Sequence, residues 1–196
     1  MKKLVIASNN PGKLIEFQTL LAPLKIEVVT QAQLGIKEAE EPHGTFIENA
    51  LAKARHVSRE SGLPALADDS GICVDALNGA PGVFSARFAG LPSNDARNNM
   101  ALLQAMQSQP NRRAHYACVL VLMRAADDAQ PMIAEGEWFG EIAHAPRGDG
   151  GFGYDPLFWL PELNKMSSEL ARAEKEALSH RGQAMRLLLS KLQARA

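Results

Sequence analysis

Apolar and polar positions alternate between two periods along the chain. Lys3 to Ala7 is a short apolar run that reads as a buried strand, and Ile26 to Thr30 reads as the next. Between them Leu14, Phe17, Leu20, Leu21 and Leu24 recur at helical spacing. Asn10 followed by Pro11 predicts an N-cap with proline at the first helical position. Thr45-Phe46-Ile47-Glu48 has the form of a capping box and opens a long helix whose buried stripe is Ala50, Leu51, Ala54 and Val57. Gly62 and Pro64 stop it.

Leu63 to Ala67 and Ile72 to Leu77 read as two strands flanking Asp68-Asp69-Ser70-Gly71. A glycine–proline loop, Asn78 to Gly82, then precedes Val83 to Phe88. Residues 93 to 107 predict an amphipathic helix that buries Ala96, Met100, Leu103 and Met106. His115 to Arg124 is apolar almost throughout, as in a strand covered on both faces. Met132 to Ile142 is its expected partner across the turn at Asp127-Asp128, with Gly136 and Gly140 along one face. After a glycine-rich loop comes a strand, Leu157 to Leu160, and two helices close the chain. The last begins near Ser179 and buries Ala184, Leu187, Leu188 and Leu192. Strands and helices mix without strict alternation, so the fold class expected is α/β with a mixed sheet, in one domain that is either undivided or built of two lobes around a cleft.

Composition narrows the function. The 196 residues are 46% hydrophobic and 22% charged, which is ordinary for a folded domain and excludes disordered or fibrous classes. Lys plus Arg number 21 against 22 Asp plus Glu, so the basic excess expected of a nucleic-acid binder is missing. The longest apolar stretch, Ala117 to Met123, is far short of the roughly 20 residues of a membrane helix. Met1-Lys2-Lys3 resembles a signal-peptide start, but the apolar run ends at Ser8-Asn9-Asn10, too early for an h-region. Cys73 and Cys118 sit in apolar runs and read as reduced core residues, as in a cytoplasmic protein. The expectation is a soluble enzyme or binding module.

Three places could carry chemistry. Ser8-Asn9-Asn10-Pro11-Gly12-Lys13 gathers backbone N–H groups, a hydroxyl, an amide and a lysine at a helix start, a ready phosphate site. It is not a Walker loop, and an ordinary capped loop with a surface lysine is the plain alternative. Glu40-Glu41 and Asp68-Asp69 are acidic pairs, and adjacent carboxylates invite a cation such as magnesium, completed by substrate phosphates. A solvated acidic loop is the alternative for the first pair. Lys53 is placed to share a helix face with Asn49 and His56, or else is simply solvated.

The third place is Lys175 with Ser179-His180-Arg181-Gly182. Basic residues at the positive end of a helix oppose its dipole, and an electronegative ligand would offset that. Phe152-Gly153-Tyr154-Asp155 adds an aromatic pair that could stack on a base or fill a core. No Gly-x-Ser-x-Gly elbow or His-Glu-x-x-His is present. Phosphate, magnesium and a carboxylate base are the chemistry implied.

In this order the motifs resemble one family. Ser8-x-Asn10-x-x-Lys13, Gly44-Thr45-Phe46-x-Glu48-Asn49-Ala50-x-x-Lys53-Ala54 and Ala67-Asp68-Asp69-Ser70-Gly71 are similar to those of the inosine triphosphate pyrophosphatases. So are Ala80-Pro81-Gly82-Val83-x-Ser85-Ala86-Arg87, Gly150-Gly151-Phe152-Gly153-Tyr154-Asp155-Pro156 and Ser179-His180-Arg181. The resemblance runs from Lys3 to about Leu188 and points to the bacterial branch, which hydrolyses dITP, ITP and XTP to the monophosphate and pyrophosphate. It implies an elongated mixed β-sheet with flanking helices, two lobes around a central substrate cleft, a homodimer and Mg2+.

The resemblance also implies roles. Ser8, Asn9, Asn10, Pro11, Gly12, Lys13 and Lys53 would hold the triphosphate. Glu40 or Glu41 with Asp68 and Asp69 would place Mg2+, and Asp69 would serve as base for the attacking water. Ser70 would bond the nucleotide, while Phe152, Gly153, Tyr154, Asp155, Lys175, His180 and Arg181 would surround the base. Donors facing a 6-keto oxygen would leave adenine's amino group unsatisfied, a mismatch that can discriminate by about 10⁴–10⁵. A phosphatase that removes the terminal phosphate, or a nucleotide-binding module without turnover, remains a rival reading of the same residues.

Overall fold

Residues 1–194 are described in a computed structural model of the chain. Its single sheet is mixed, with seven strands in the order β2-β1-β3-β4-β5-β6-β7. The strands are β1 (Lys3–Ile6), β2 (Glu27–Thr30), β3 (Ala65–Val74), β4 (Arg113–Met123), β5 (Met132–Ile142), β6 (Phe158–Leu160) and β7 (Lys165–Met166). The helices are α1 (Pro11–Leu21), α2 (Phe46–Ser61), α3 (Asp95–Ala105), α4 (Arg172–Leu178) and α5 (His180–Gln193). β1 pairs in parallel with both β2 and β3, whereas β6 is antiparallel to β5 and β7. None of the described helices is long and apolar enough to cross a membrane.

Contacts divide the described residues into two compact units, the first comprising 1–69, 118–136 and the chain from 181 on, the second 70–117 and 137–180. In the first unit the sheet is apolar on both faces. Leu4, Ile6, Leu66, Cys118 and Leu120 pack with Phe17 and Leu21 of α1 and with Ala184, Met185 and Leu188 of α5. Their neighbours Val5, Ala65, Ala67, Val119 and Val121 pack with Ala50, Ala54 and Val57 of α2. Strand alternation thus supplies two cores from one set of consecutive residues. The second unit has its own core, with Ile72, Val74, Leu102, Tyr116, Trp138 and Phe158 at its centre.

The helix starts follow the expected local chemistry. Asn10 Oδ1 accepts from the Lys13 N–H at 3.1 Å and caps α1. Thr45 Oγ1 accepts from the Glu48 N–H at 3.4 Å and donates to the Glu48 carboxylate at 2.6 Å, so the box closes side chain to side chain. Gly62, at φ 67°, ends α2 in the left-handed conformation that favours glycine.

Three expectations need correction, and one segment is newly assigned. The two strands flanking Asp68-Asp69 are one continuous strand, because both carboxylates find partners without breaking the ladder. After the glycine–proline loop, to which no element was assigned beyond Gly82, Gly82–Arg87 is a 3₁₀ segment. In α3 the buried face carries Asn98 and Leu102, while Met100 is 71% exposed, because two asparagine side chains take inward positions read as polar. In α5, Met185 is buried in place of Leu187, which is 43% exposed.

Gly140 shows why one face of β5 needs a glycine. A Cβ there would lie 2.5 Å from the Trp159 carbonyl oxygen and 2.8 Å from the Phe158 ring. Gly140→Ala should cost about 1–3 kcal/mol through overpacking. That lowers the melting temperature by about 2–12 °C in a chain of this size. Gly44→Ala, where a Cβ meets nothing within 4 Å, should move it by less than about 2 °C. Thermal unfolding of both variants checks the pair.

Candidate active site

Asp68 and Asp69 are consecutive on β3, so their side chains leave the sheet on opposite faces. They therefore do not form the paired acidic site that their adjacency suggests. Asp68 follows Leu66 onto the α1/α5 face and is 2% exposed. There it accepts from Arg181 Nε at 2.9 Å, from Lys13 Nζ and from the Cys118 thiol at 3.1 Å. Arg181 Nη1 donates in turn to Glu16 Oε2 at 2.5 Å.

Burial alone would raise the Asp68 pKa, but Arg181 and Lys13 outweigh it and hold the carboxyl well below the usual range. Burial also opposes the Arg181 charge, and Asp68 with Glu16 overcomes it, raising that pKa. The Cys118 thiol is pushed well up by burial and by the adjacent Asp68 charge, so it is a proton donor and not a nucleophile.

Arg181 at the start of α5 is 2% exposed and meets carboxylates of its own chain, which offset the opposing helix dipole. Glu16 was not among the expected residues, although its place one turn after Lys13 on α1 was a usable signal.

Asp69 follows Ala67 onto the α2 face. Lys53 Nζ lies 2.8 Å from Asp69 Oδ1 and 2.5 Å from Glu41 Oε1, so one ammonium joins the strand to the acidic loop. Asn49 holds that loop through both amide atoms, each 3.1 Å from the His43 backbone. Asp69 Oδ2 is buried and accepts no hydrogen bond from the described residues. Burial raises the Asp69 pKa, only partly opposed by Lys53. For Lys53 burial is outweighed by Asp69 and Glu41, which raise its pKa. Glu40 is exposed. Among the described residues no three His, Cys, Asp or Glu side chains cluster closely enough to hold a metal unaided.

The helix-start loop stays open. Ser8 Oγ accepts from the Asn10 N–H at 3.2 Å; Asn9, Asn10 and Pro11 are exposed, Gly12 half-buried. In the second unit Ser70 is half-buried where β3 continues. There Asp155 organises the glycine-rich loop, accepting from the Phe152 N–H at 2.8 Å, Ser167 Oγ at 2.9 Å and Lys175 Nζ at 2.5 Å. Lys175 Nζ also sits 4.9 Å from the Phe152 ring centroid, a cation–π contact. Tyr154 is buried, and its hydroxyl donates to the Ser85 carbonyl at 2.7 Å. His180 stacks on Tyr116 with centroids 4.7 Å apart and planes 7° from parallel.

Asp68→Asn should lower stability at pH 7 by about 3–5 kcal/mol, because it leaves Arg181 and Lys13 short of a buried counter-charge. The folded-state pKa is depressed, so this contribution is present above the unfolded value of about 3.9 and is lost as pH falls through the folded one. The gap in melting temperature between wild type and variant is therefore widest above about pH 5 and narrows in stronger acid. Calorimetry across pH 3 to 7 measures it.

Residues 4–191 match the sequence profile of the Ham1 family. A dITP/XTP pyrophosphatase of Ralstonia nicotianae is 63% identical over 195 residues, spanning 98% of this chain and 97% of its own. One of Nitrosomonas europaea is 62% identical over 192 residues, spanning 98% and 95%. Among solved structures, a HAM1 protein from Coxiella burnetii superposes with a TM-score of 0.92 at 46% identity, covering all of both chains. Profile, relatives and architecture agree, and the chain belongs to the Ham1 family.

Proposed function

We propose that this protein is a Mg2+-dependent pyrophosphatase that converts dITP, ITP and XTP to the monophosphate and pyrophosphate, clearing deaminated purines from the nucleotide pool. The relatives' activity supports the substrate class. The observation that carries the chemistry is Asp69, a buried carboxylate with one oxygen on Lys53 and the other without a partner. Such an oxygen costs stability until something binds it. The protein acts in the cytoplasm as a homodimer, in keeping with the family resemblance.

Asp69 and Glu41 fit a magnesium ion, which characteristically takes one or two carboxylates and completes its shell with substrate phosphates and water. Glu40 stands beside them in sequence. When bound, the ion neutralises and orients phosphate oxygens. Lys53 bridges the same two carboxylates and would place its ammonium beside the phosphates that the ion binds. Lys13, held by Asp68, meets the triphosphate together with Ser8, Asn9, Asn10 and the Gly12 N–H at the start of α1, where Pro11 contributes only shape. Asp69, its pKa raised by burial, takes the proton of the attacking water.

Ser70 contacts the nucleotide. Phe152, Gly153, Tyr154 and Asp155, with Lys175 and His180, read the base, the Phe152 ring offering a stacking face. Arg181 enters this scheme as a positioning residue that fixes Asp68, and through it Lys13.

Incubation with ITP and Mg2+ should release IMP and pyrophosphate; IDP and orthophosphate would favour a terminal phosphatase, and no turnover a binding module. Chelation of the metal should abolish the reaction. Asp69→Asn should stay folded yet lose at least about tenfold in turnover, equivalent to roughly 1.4 kcal/mol of barrier. A smaller loss would remove Asp69 from catalysis.

A further inference from the structure

The segment Ala80–Arg87 and the first turns of α3 have no part in the chemistry above, yet both are tied to the glycine-rich loop of the second unit. Asp95 Oδ2 accepts from the Gly153 N–H at 2.7 Å. Asn99 Nδ2 donates to the Gly153 carbonyl at 2.7 Å and to the Asp95 carbonyl at 2.7 Å. The Gly153 residue is thus pinned from both its N–H and its C=O by one helix. Asn98, one residue earlier and 2% exposed, turns the other way. Its Nδ2 donates to the Ala86 carbonyl at 2.9 Å and its Oδ1 accepts from the Ala89 N–H at 2.8 Å. That segment carries Ser85, whose carbonyl receives the Tyr154 hydroxyl at 2.7 Å.

Packing does not constrain Gly153. Its φ is 62°, and a Cβ built there meets nothing within 4 Å. A glycine in such space has a wide choice of backbone conformations, so the two hydrogen bonds select one. The bond to Asp95 is charge-assisted and is the stronger constraint. Phe152 and Tyr154 flank the pinned residue; Tyr154 is held separately by the core and by Ser85, so Phe152 is the neighbour whose direction depends on Gly153.

We infer that Asp95 and Asn99 are positioning residues that set the affinity for the base by fixing the Gly153 backbone and with it the adjoining Phe152. This rests on the reading that the loop faces the purine. Asp95→Ala and Asn99→Ala should raise the KM for dITP by about tenfold or more with kcat within about threefold, since base contacts are made before the chemical step. Inhibition by inorganic tripolyphosphate, which has no base, should not change. Asp95→Asn should stay within about threefold of wild type in KM, because an amide oxygen accepts the same hydrogen bond.

Amide hydrogen exchange of the peptide covering residues 150–155 supplies a readout independent of activity. It should quicken in Asp95→Ala and stay at the wild-type rate in Asp95→Asn, with β4 peptides unchanged as the folding control. Parallel losses of dITP and tripolyphosphate binding would overturn the inference, as would unaltered exchange in Asp95→Ala. A wild type that releases no pyrophosphate from dITP would instead overturn the functional reading, and the exchange experiment would still decide whether the clamp exists.

Discussion

Strand alternation at Asp68-Asp69 is the constraint on which the rest of the first unit depends. A continuous β3 must send one carboxylate to each face, and each face already holds an apolar core. A buried carboxylate without a partner would neutralise itself or unfold its surroundings. On the α1/α5 face the chain answers with two cations and a thiol, and Arg181 needs Glu16 to balance its own charge. Helices α1 and α5 are thereby joined to β3 by charge as well as by packing. A buried network of this kind adds less net stability than its short distances suggest, because desolvation opposes it. It does define geometry, and the ammonium of Lys13 is one of the groups so placed.

The opposite face is resolved differently. Lys53 is shared between Asp69 and Glu41, and one Asp69 oxygen is left without a partner. The two pKa directions express the contrast. Asp68 is held ionised by its neighbours, whereas burial makes ionised Asp69 costly. One aspartate has its charge balanced by two cations, and its neighbour keeps a buried oxygen without a hydrogen bond. Adjacent identical residues have acquired separate tasks because a strand has two sides.

In the second unit the constraint is conformational. A loop rich in glycine can take up turns closed to other residues, at the cost of being easily disordered. Here side chains supply the order. Asp155 gathers Phe152, Ser167 and Lys175, and a Cβ at Gly151 would run into the Asp155 carboxylate. Asp95 and Asn99 pin the next residue but one. Tyr154 is anchored on Ser85, so its ring belongs to the core even though sequence alone allowed it to be a stacking face.

Helix starts and strand runs were legible in the sequence, because caps and apolar periodicity are written within a few neighbouring positions, and the acidic and basic residues of the candidate site stood out there by type alone. Asn10, Thr45 and Gly62 perform the roles their types suggested. Met100 and Leu187 misled because amphipathic spacing leaves the buried face free to turn by one position, and buried asparagines count as polar in any periodicity. What local pattern could not supply was partnership. Arg181 meets Asp68 across 113 positions and Glu16 across 165, and nothing near Ser179-His180-Arg181 announces either. The sequence by itself determined which elements form and which charged side chains are present. Only the tertiary structure decided which face each carboxylate occupies and which cation neutralises it, because a buried charge is stabilised by whatever the fold brings within hydrogen-bonding distance.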